Sequence, residues 1–339
     1  TSTVGWDKKI DHTPHGDDEA MAVAIDSNNN VFVVGYFTNA SGNKDLVVKK
    51  YQSDGTEVLT GWNKILDGNG GNDVAYDVQI DSENNVYVVG MGTDLDSASS
   101  NSDWWIIKIL ENGNTSWQKV VHVGSEEAHS AAIDSNNNLY VAGYSGFYGM
   151  IKKYNSSGNE QATWSKTIDF SSGYTFVKAI SVDANDDVVI GGYRNGAFVL
   201  AGNPSPHDWF IKKYDGTTAQ DLTMSWNTEY DGNGDFDTVI DIVFDSDNNI
   251  YVVGYGTHLV TGTTDIDGWI KKFSSTGVED TSWNLMLDGY LSDDEITAAV
   301  IDKNNTLTIV GYGTGIVTPG LSNEDWWIRR FYHVNFSEE

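Results

Sequence analysis

The 339-residue chain contains no cysteine, only four prolines and few positive charges. Without cysteine it can form neither a disulfide, nor a thiolate metal site, nor a cysteine nucleophile. Its 20 Lys and Arg residues against 49 Asp and Glu residues give a formal net charge of −29. That charge argues against the basic footprint that nucleic acid binding requires. No run approaches the ~18 consecutive apolar residues of a membrane-spanning helix, so we expect neither nucleic acid binding nor membrane insertion.

What the chain does have is a repeat marked by tryptophan and glycine. Six of the twelve tryptophans mark the repeat: Trp6, Trp62, Trp117, Trp164, Trp226 and Trp283. A strand that ends in glycine follows each of them, at Gly35, Gly90, Gly143, Gly192, Gly254 and Gly311. Two independent markers with the same period indicate a true repeat. A period of about 40–60 residues made of short strands is typical of β-propeller blades.

Each repeat predicts four strands. In the first, residues 20–25, 31–36 and 45–51 are rich in Val, Ile, Leu and Tyr, and a further strand carries Trp62. Clusters of Asn, Asp, Ser and Gly separate these runs, which is the pattern of strands joined by hairpins. No segment shows a competing helical period.

The two ends of the chain predict how the ring of blades closes. Residues 3–10 resemble a fourth strand with no preceding three, and residues 293–332 resemble three strands with no fourth. Pairing them would complete the last blade and remove an exposed sheet edge. The sequence therefore predicts an all-β fold, a six-bladed β-propeller of four-stranded antiparallel blades, as one domain over residues 1–339. The predicted blades cover residues 17–66, 72–121, 126–168, 173–230, 235–287 and 293–332 plus 3–10.

The strand-turn units also resemble a known repeat. Residues 25–36 (IDSNNNVFVVGY) and 80–90 (IDSENNVYVVG) are similar to bacterial β-propeller repeats of the SBBP type and, more distantly, to NHL repeats. The resemblance implies a secreted, periplasmic or cell-surface protein and brings no shared catalytic residues with it. The chain begins Thr1-Ser2-Thr3, so we expect a processed form from which an export signal has been removed.

The Asp-rich turns have two interpretations. Oxygen-bearing side chains at positions 1, 3 and 5, as in Asp26, Asn28 and Asn30, suggest a calcium loop. Such a loop needs glycine at position 6, where every repeat has an apolar residue such as Val31. The pattern favours hairpins instead, with Asp capping the turn and a left-handed backbone at the fourth residue, such as Asn29.

Aromatic residues supply one set of candidate ligand-binding positions. The pairs Asp103-Trp104-Trp105 and Asp325-Trp326-Trp327 recur in register, so we expect them to pack between blades rather than to stack on a sugar. Tyrosines after the strand-two glycine would line one rim, and the short third link would leave a notch in that rim. The candidates for glycan or peptide binding are Tyr36, Tyr144, Phe147, Tyr148, Tyr193, Tyr255 and Tyr312. Structural packing of the same residues is the alternative.

The long links between strands combine histidine with carboxylates. This mixture suits a transition metal more than Ca²⁺ alone. The candidate ligands are His12, His15, Asp17, Asp18, His122, Glu126, Glu127 and His129. Histidines would also collect in these loops simply because the loops are long and polar. Most Lys and Arg residues lie on the two outer strands of each repeat, where they can neutralise the turn aspartates, so the acidic excess is expected on one loop face.

Three classes of function fit these features. The first is a secreted or cell-surface binding or scaffold propeller, a monomer, that recognises a glycan, a peptide or a cation on its acidic loop face. The second is an extracellular hydrolase or lyase that uses acidic and histidine residues of that face, with or without Ca²⁺ or a transition metal. The third is a structural spacer. No nucleophile elbow, phosphate-binding loop or zinc-protease helix is present.

Overall fold

The computed structural model describes residues 5–12, 16–95, 101–122, 124–170, 173–195, 207–223, 229–230, 236–257, 259, 265–288, 293–314 and 324–332. Within these ranges the chain consists of strands, turns and irregular segments, and it contains no helix. The described residues accordingly include no helix long and apolar enough to cross a membrane.

The strands form six antiparallel sheets, named blades 1 to 6, with spatial order following chain order in each. Blade 1 contains β1 (Glu19–Ile25), β2 (Val31–Thr38), β3 (Lys44–Tyr51) and β4 (Lys64–Leu66). Blade 2 contains β5 (Asp73–Ile80), β6 (Val86–Thr93), β7 (Ser102–Ile109) and β8 (Thr115–Val121). Blade 3 contains β9 (Glu126–Ile133), β10 (Leu139–Ser145), β11 (Tyr148–Tyr154) and β12 (Lys166–Ile168). Blade 4 contains β13 (Thr175–Val182), β14 (Val188–Asn195), β15 (His207–Tyr214) and β16 (Glu229–Tyr230). Blade 5 contains β17 (Asp237–Phe244), β18 (Ile250–Thr257), β19 (Ile266–Phe273) and β20 (Glu279–Leu287). Blade 6 contains β21 (Asp294–Ile301), β22 (Leu307–Thr314) and β23 (Glu324–Phe331).

These sheets confirm the predicted fold class, a six-bladed β-propeller of antiparallel blades. The chain divides into two compact units. Unit 1 comprises residues 1–146 and 150–166, and unit 2 comprises residues 147–149 and 167–339. The first strands of successive blades are neighbours within each unit. In unit 1, β1 packs beside β5 and β5 beside β9; in unit 2, β13 packs beside β17 and β17 beside β21. A single domain over residues 1–339 stays a prediction.

The closing strand differs from the expectation. Residues 5–12 are described without strand structure, and the described part of blade 6 has three strands. Trp6 nevertheless occupies, against blade 1, the place that Trp117 of β8 occupies against blade 3. Its indole Nε1 donates to Ser53 O at 3.2 Å, as Trp117 Nε1 donates to Ser156 O at 3.2 Å. Pairing of the N-terminal segment with β23 stays a prediction.

The Asp-rich turns are hairpins, as predicted. In the first, Asp26 Oδ1 accepts hydrogen bonds from Asn28 N and Asn30 N, and the backbone of Asn29 is left-handed with φ 62°. The same left-handed residue occurs in every repeat, at Asn29, Asn84, Asn137, Asp186, Asn248 and Asn305. These oxygens are therefore used by the turn itself, which confirms the hairpin interpretation over a calcium loop.

The glycine at the end of each second strand has a specific role. In blade 3 the register between β9 and β10 shifts at Ser130 and Ala128, so that β9 bulges. A Cβ at Gly143 would lie 2.0 Å from Glu127 O on the bulged strand. Equivalent bulges lie opposite the equivalent glycines in all six blades. Glycine is required there because any side chain would displace the bulge.

Tryptophans and buried lysines hold neighbouring blades together. Trp104 is fully buried, and its Nε1 donates to Tyr144 O of the next blade at 3.0 Å. Lys108 Nζ lies 3.3 Å from Asp81 of its own blade and donates to Ser156 O of blade 3 at 3.1 Å. Lys213 Nζ likewise lies 2.8 Å from Asp183 of its own blade and donates to Ser275 O of blade 5 at 3.3 Å. The predicted neutralisation of turn aspartates is therefore present. Trp326 is the exception to the packing prediction, being 77% exposed.

Candidate functional site

Three register positions come together at the junctions between successive blades of a unit, taken here where all three residues are described. They are the second residue of the third strand, the residue after the fourth strand, and the first residue of the next blade's first strand. We call each such set a socket. Two sockets are triads of aspartate, Asp45 with Asp67 and Asp73 in unit 1, and Asp267 with Asp288 and Asp294 in unit 2. In each triad one carboxylate oxygen per residue lies within 4.8 Å of the others, a geometry that can hold a metal.

Two other sockets differ in chemistry. Between blades 2 and 3, unit 1 has Asp103, His122 and Glu126 at the three positions, with His122 Nδ1 2.5 Å from Asp103 Oδ1. Glu126 is fully buried, and its Oε1 accepts from Ser145 Oγ at 2.9 Å. In unit 2, the positions that precede blade 4 carry Gly149, Asp169 and Thr175. The same three positions therefore recur between blades with three, two or one acidic side chains.

A second constellation lies on the inner strands of unit 1. His129 Nε2 lies 3.3 Å from Glu127 Oε2, and its ring packs against Tyr76 and Tyr144 with centroid distances of 5.0 and 5.8 Å. Burial, followed by the charge of Glu127 and a hydrogen bond to it, raises the pKa of Tyr76. Tyr76 therefore stays protonated at neutral pH and acts as a donor. We call Tyr76, Glu127, His129 and Tyr144 the tyrosine–histidine cluster.

Tyr36 belongs to blade 1 and makes different contacts. Its hydroxyl donates to Glu19 Oε2 at 2.9 Å, and Lys44 Nζ lies 3.9 Å from the centroid of its ring. With an exposure of 6%, the ring face is covered rather than open to a ligand. Tyr36 thus packs in its blade, which is the structural alternative stated for these tyrosines.

Among the N-terminal metal candidates, the Asp18 carboxylate accepts local hydrogen bonds, while His12 and Asp17 make their hydrogen bonds through backbone atoms. His12 N donates to Asp18 Oδ2 at 2.6 Å, and Asp18 Oδ1 accepts from Thr38 N at 3.0 Å. The His12 ring stacks on Phe37 with a centroid distance of 5.0 Å, and the carbonyl of Asp17 accepts from Thr38 Oγ1. His15 lies outside the described residues.

Unit 2 carries a continuous row of aromatic rings. We call it the aromatic strip, and it comprises Phe147, Tyr174, Phe176, Tyr193, His207, Phe236 and Tyr255. Consecutive ring centroids are 4.7 to 6.5 Å apart, from Phe147 through Tyr174 to Phe176 and Tyr193. The row continues from Tyr193 to Phe236 at 5.5 Å. Phe147 and Tyr174 are 57% and 43% exposed, and the other rings are half-buried.

Polar groups border the aromatic strip. His207 packs edge-on against Tyr193 and Phe236, and burial lowers its pKa, so its ring is neutral at pH 7. Burial, then the charge of Glu295, raises the pKa of Tyr255 to about 12. Arg194 Nη2 lies 2.6 Å from Glu229 Oε2 at the end of β14. Aromatic faces next to hydroxyl, carboxylate and guanidinium groups are a common composition for ligand sites.

The predicted residues therefore separate into distinct places. Glu127, His129 and Tyr144 meet in the tyrosine–histidine cluster, while His122 and Glu126 share a socket. Phe147, Tyr193 and Tyr255 belong to the aromatic strip. Tyr148 is 46% exposed on β11, and Tyr312 is half-buried on β22. The assignment of any of these residues to a ligand or a metal stays a prediction.

Sequence reasoning missed Tyr174, Phe176 and Phe236 of the strip. A signal was available. Tyr174 and Phe236 stand at the repeat position where the other repeats have the polar residues Asp17, Asn72, Ser125 and Asp293. Phe176 stands where three other repeats have Glu19, Glu127 and Glu295. Departure from the repeat, rather than the repeat itself, marks this surface.

Comparisons with known proteins support the fold. No family model matches the chain, and no curated protein matches its sequence, so the SBBP and NHL resemblance is not confirmed. A protein from Lactobacillus plantarum is similar at 11% identity over 92% of this chain and 88% of that one, with a TM-score of 0.54. Periplasmic gluconolactonase from Pseudomonas aeruginosa is similar at 10% identity over 95% and 90%, with a TM-score of 0.52. An ulvan-type polysaccharide lyase bound to a -[GlcA(1-4)Rha3S]- saccharide is similar at 9% identity over 90% and 78%, with a TM-score of 0.53. Likeness at these identities extends to the fold and not to an activity.

Proposed function

We propose that the protein is a carbohydrate-binding propeller whose ligand surface is the aromatic strip of unit 2. The supporting observation is the continuous row of rings itself, because an apolar ring row with two exposed members has no obvious role in the core. Sugar rings present apolar C–H faces that pack on aromatic rings, while their hydroxyls hydrogen-bond to nearby polar groups. A secreted, periplasmic or cell-surface location, where such polymers are met, is part of the proposal.

The charge of the protein narrows the class of glycan that it can bind. The protein has a net charge of −29, which disfavours strongly anionic polysaccharides by general repulsion. Arg194, which follows Tyr193 of the strip in the sequence, is engaged with Glu229 and, at 3.5 Å, with Asp208. A neutral glycan therefore fits better than a sulfated or uronate-rich one.

The test is a glycan array followed by calorimetric titration of the hits. Phe147→Ala and Tyr174→Ala remove exposed rings, so both variants should fold. We expect each to weaken binding at least about tenfold, equivalent to about 1.4 kcal/mol. Tyr332→Ala is the matched control, since Tyr332 is 52% exposed in unit 2 and lies outside the strip.

Two outcomes would count against this proposal. Equal weakening by Tyr332→Ala would mean that general surface apolarity, and not the strip, binds the glycan. Binding of peptides but of no glycan on parallel arrays would assign the strip to a protein partner instead. Location is checked separately by fractionating cells of the native host.

The tyrosine–histidine cluster of unit 1 favours a second candidate, a hydrolase or lyase. Its specific observation is the proximity of a neutral Tyr76 donor to the Glu127–His129 pair, since catalysis of glycosidic cleavage needs a proton donor beside a base. The assay is turnover of the glycans found on the array, with a pH profile. Loss of turnover in His129→Gln with binding retained would support a catalytic role for the cluster. Binding of glycans without any turnover by the unsubstituted protein would support the binding function only.

A further inference from the structure

We propose that Asp45, Asp67 and Asp73 form a binding site for a divalent cation with oxygen ligands, which links blade 1 to blade 2. This inference is independent of the glycan proposal. The three carboxylates come from β3, from the residue after β4 and from the start of β5, and one oxygen of each lies within 4.8 Å of the others. All three residues belong to unit 1.

Asp73 carries the argument, because acidic clusters alone are common on acidic proteins. Asp73 is fully buried, with 0% exposure. Oδ2 accepts from Gly68 N at 2.6 Å, whereas the buried Oδ1 has no hydrogen-bond partner. A buried oxygen of an ionised carboxylate without a partner is strongly unfavourable. A cation in the socket supplies the missing partner.

Two glycines allow the surrounding backbone to approach this oxygen closely. A Cβ on Gly92 would lie 2.4 Å from Asp73 Oδ1, and one on Gly68 would lie 2.8 Å from it. Glycine at both positions therefore lets the backbone pack closely around the buried Oδ1 without a side chain displacing it. Any larger residue at either position would press against the oxygen that the socket presents.

The other two carboxylates are held in a similar way. Asp45 Oδ1 accepts from Asn39 Nδ2 at 2.7 Å, and Asp67 Oδ1 accepts from Gly70 N at 2.5 Å. Each residue thus fixes one oxygen by a hydrogen bond while its second oxygen remains for the cation. Asp45 is buried and Asp67 is exposed, so the site opens to solvent on one side, where water can complete the coordination.

The ligand chemistry selects the class of ion. Three carboxylates with no nitrogen or sulfur donor suit hard cations such as Ca²⁺, Mg²⁺ or Mn²⁺. The His122 socket, with Asp103 and Glu126, has a nitrogen donor at the middle position and is excluded from this proposal. In unit 2 the triad of Asp267, Asp288 and Asp294 has the same register and the same pattern of burial, so we expect two ions per chain from these two triads.

Protonation of Asp73 is the alternative to cation binding, because it also removes the unpaired buried charge. Burial raises the pKa of Asp73 to about 7, with Asp67 and Asp45 adding to the rise and the Gly68 hydrogen bond opposing it. Measurements at pH 8 favour the ionised form and therefore the cation. They are made on the full chain in about 0.15 M salt, which screens non-specific attraction to the acidic surface.

The experiment is calorimetric titration of the metal-free protein with Ca²⁺, Mg²⁺ and Zn²⁺, together with thermal unfolding. We expect two sites for Ca²⁺ or Mg²⁺ and a rise in the unfolding temperature that EDTA reverses. Asp67→Asn and Asp288→Asn should each remove one site. Asp169→Asn is the matched control, because it changes the same register position in a socket that has Gly149 and Thr175 in place of the other acids.

Asp73→Asn separates the cation from the proton. It should leave the protein folded without added metal, since a neutral amide removes the buried charge, and it should abolish the response at one site. The proposal is overturned if no stoichiometric binding occurs at pH 8. It is likewise overturned if the response to Ca²⁺ is unchanged in Asp67→Asn, or if Zn²⁺ alone binds.

Discussion

Replacement of Asp81 by alanine should destabilise unit 1 by about 3–5 kcal/mol. The Asp81 carboxylate accepts hydrogen bonds from Glu83 N at 3.0 Å, Asn85 N at 2.8 Å and the Tyr87 hydroxyl at 3.2 Å. Its Oδ2 also lies 3.3 Å from Lys108 Nζ, and both side chains of this ion pair are almost fully buried. Alanine would leave a buried ammonium and a buried hydroxyl without their acceptor, which is what makes the loss large.

The chain supplies a matched control in blade 6. Asp302 holds the same hairpin position and accepts from Asn304 N and Thr306 N, but its partner Arg330 is half exposed. Water can replace the carboxylate there, so Asp302→Ala should cost much less than Asp81→Ala. The assay is urea unfolding followed by tryptophan fluorescence, with the midpoint and slope determined separately for each variant.

A second variant tests the cause. Asp81→Ala combined with Lys108→Met removes both charges, so it should recover part of the stability lost in the single variant. Equal losses in Asp81→Ala and Asp302→Ala would refute the reasoning, because the loss would then come from the turn alone. No recovery in the double variant would show that the ion pair is not the source of the effect.

Two further predictions concern the bulge and the strip. Gly143→Ala should destabilise the protein by about 1–3 kcal/mol, because its Cβ would lie 2.0 Å from Glu127 O, while Gly124→Ala should be neutral since nothing lies within 4 Å of a Cβ there. Urea unfolding of both variants checks this, and equal midpoints would contradict it. Burial lowers the pKa of His207, so the unfolded chain binds this proton more readily and stability should fall as the pH drops through about 6.5. His207→Gln should flatten the unfolding free energy against pH in that window, and an unchanged profile would contradict this origin.

The repeat made the strands and hairpins predictable, because each depends on local chemistry. Asn29 and Asn84 adopt the left-handed backbone at the position where the turn requires it. Trp62 shows the limit of this approach. It is buried at 2% exposure, as its pattern indicated, yet it lies in a turn before β4 rather than in the strand. The periodic pattern of apolar residues predicts which side chains are buried. The turn that begins at Leu59 determines the backbone conformation of Trp62.

The candidate sites were less predictable because they depend on long-range packing. Asp73 looks like a solvated loop acid in the sequence, whereas in the structure it is fully buried with the backbone of Gly68 and Gly92 packed closely against it. His12 and His122 were expected to share metal chemistry on the strength of their loops. In the structure His12 stacks on Phe37 and His122 pairs with Asp103, contacts that loop composition does not reveal, and their role as metal ligands stays a prediction.

The asparagine residues at the tips of the hairpins also affect how a repeat protein of this kind can evolve. Asn84 accepts from Ser27 of the preceding blade, Asn137 from Ser82, Asn248 from the backbone of Ala184 and Asn305 from Ser246. At these four junctions, two in each unit, one blade thus supplies the acceptor and its neighbour supplies a main-chain donor. A duplicated or deleted repeat would meet its new neighbour with a matching junction, so the gene can gain, lose or exchange blades without a compensating mutation at these tips.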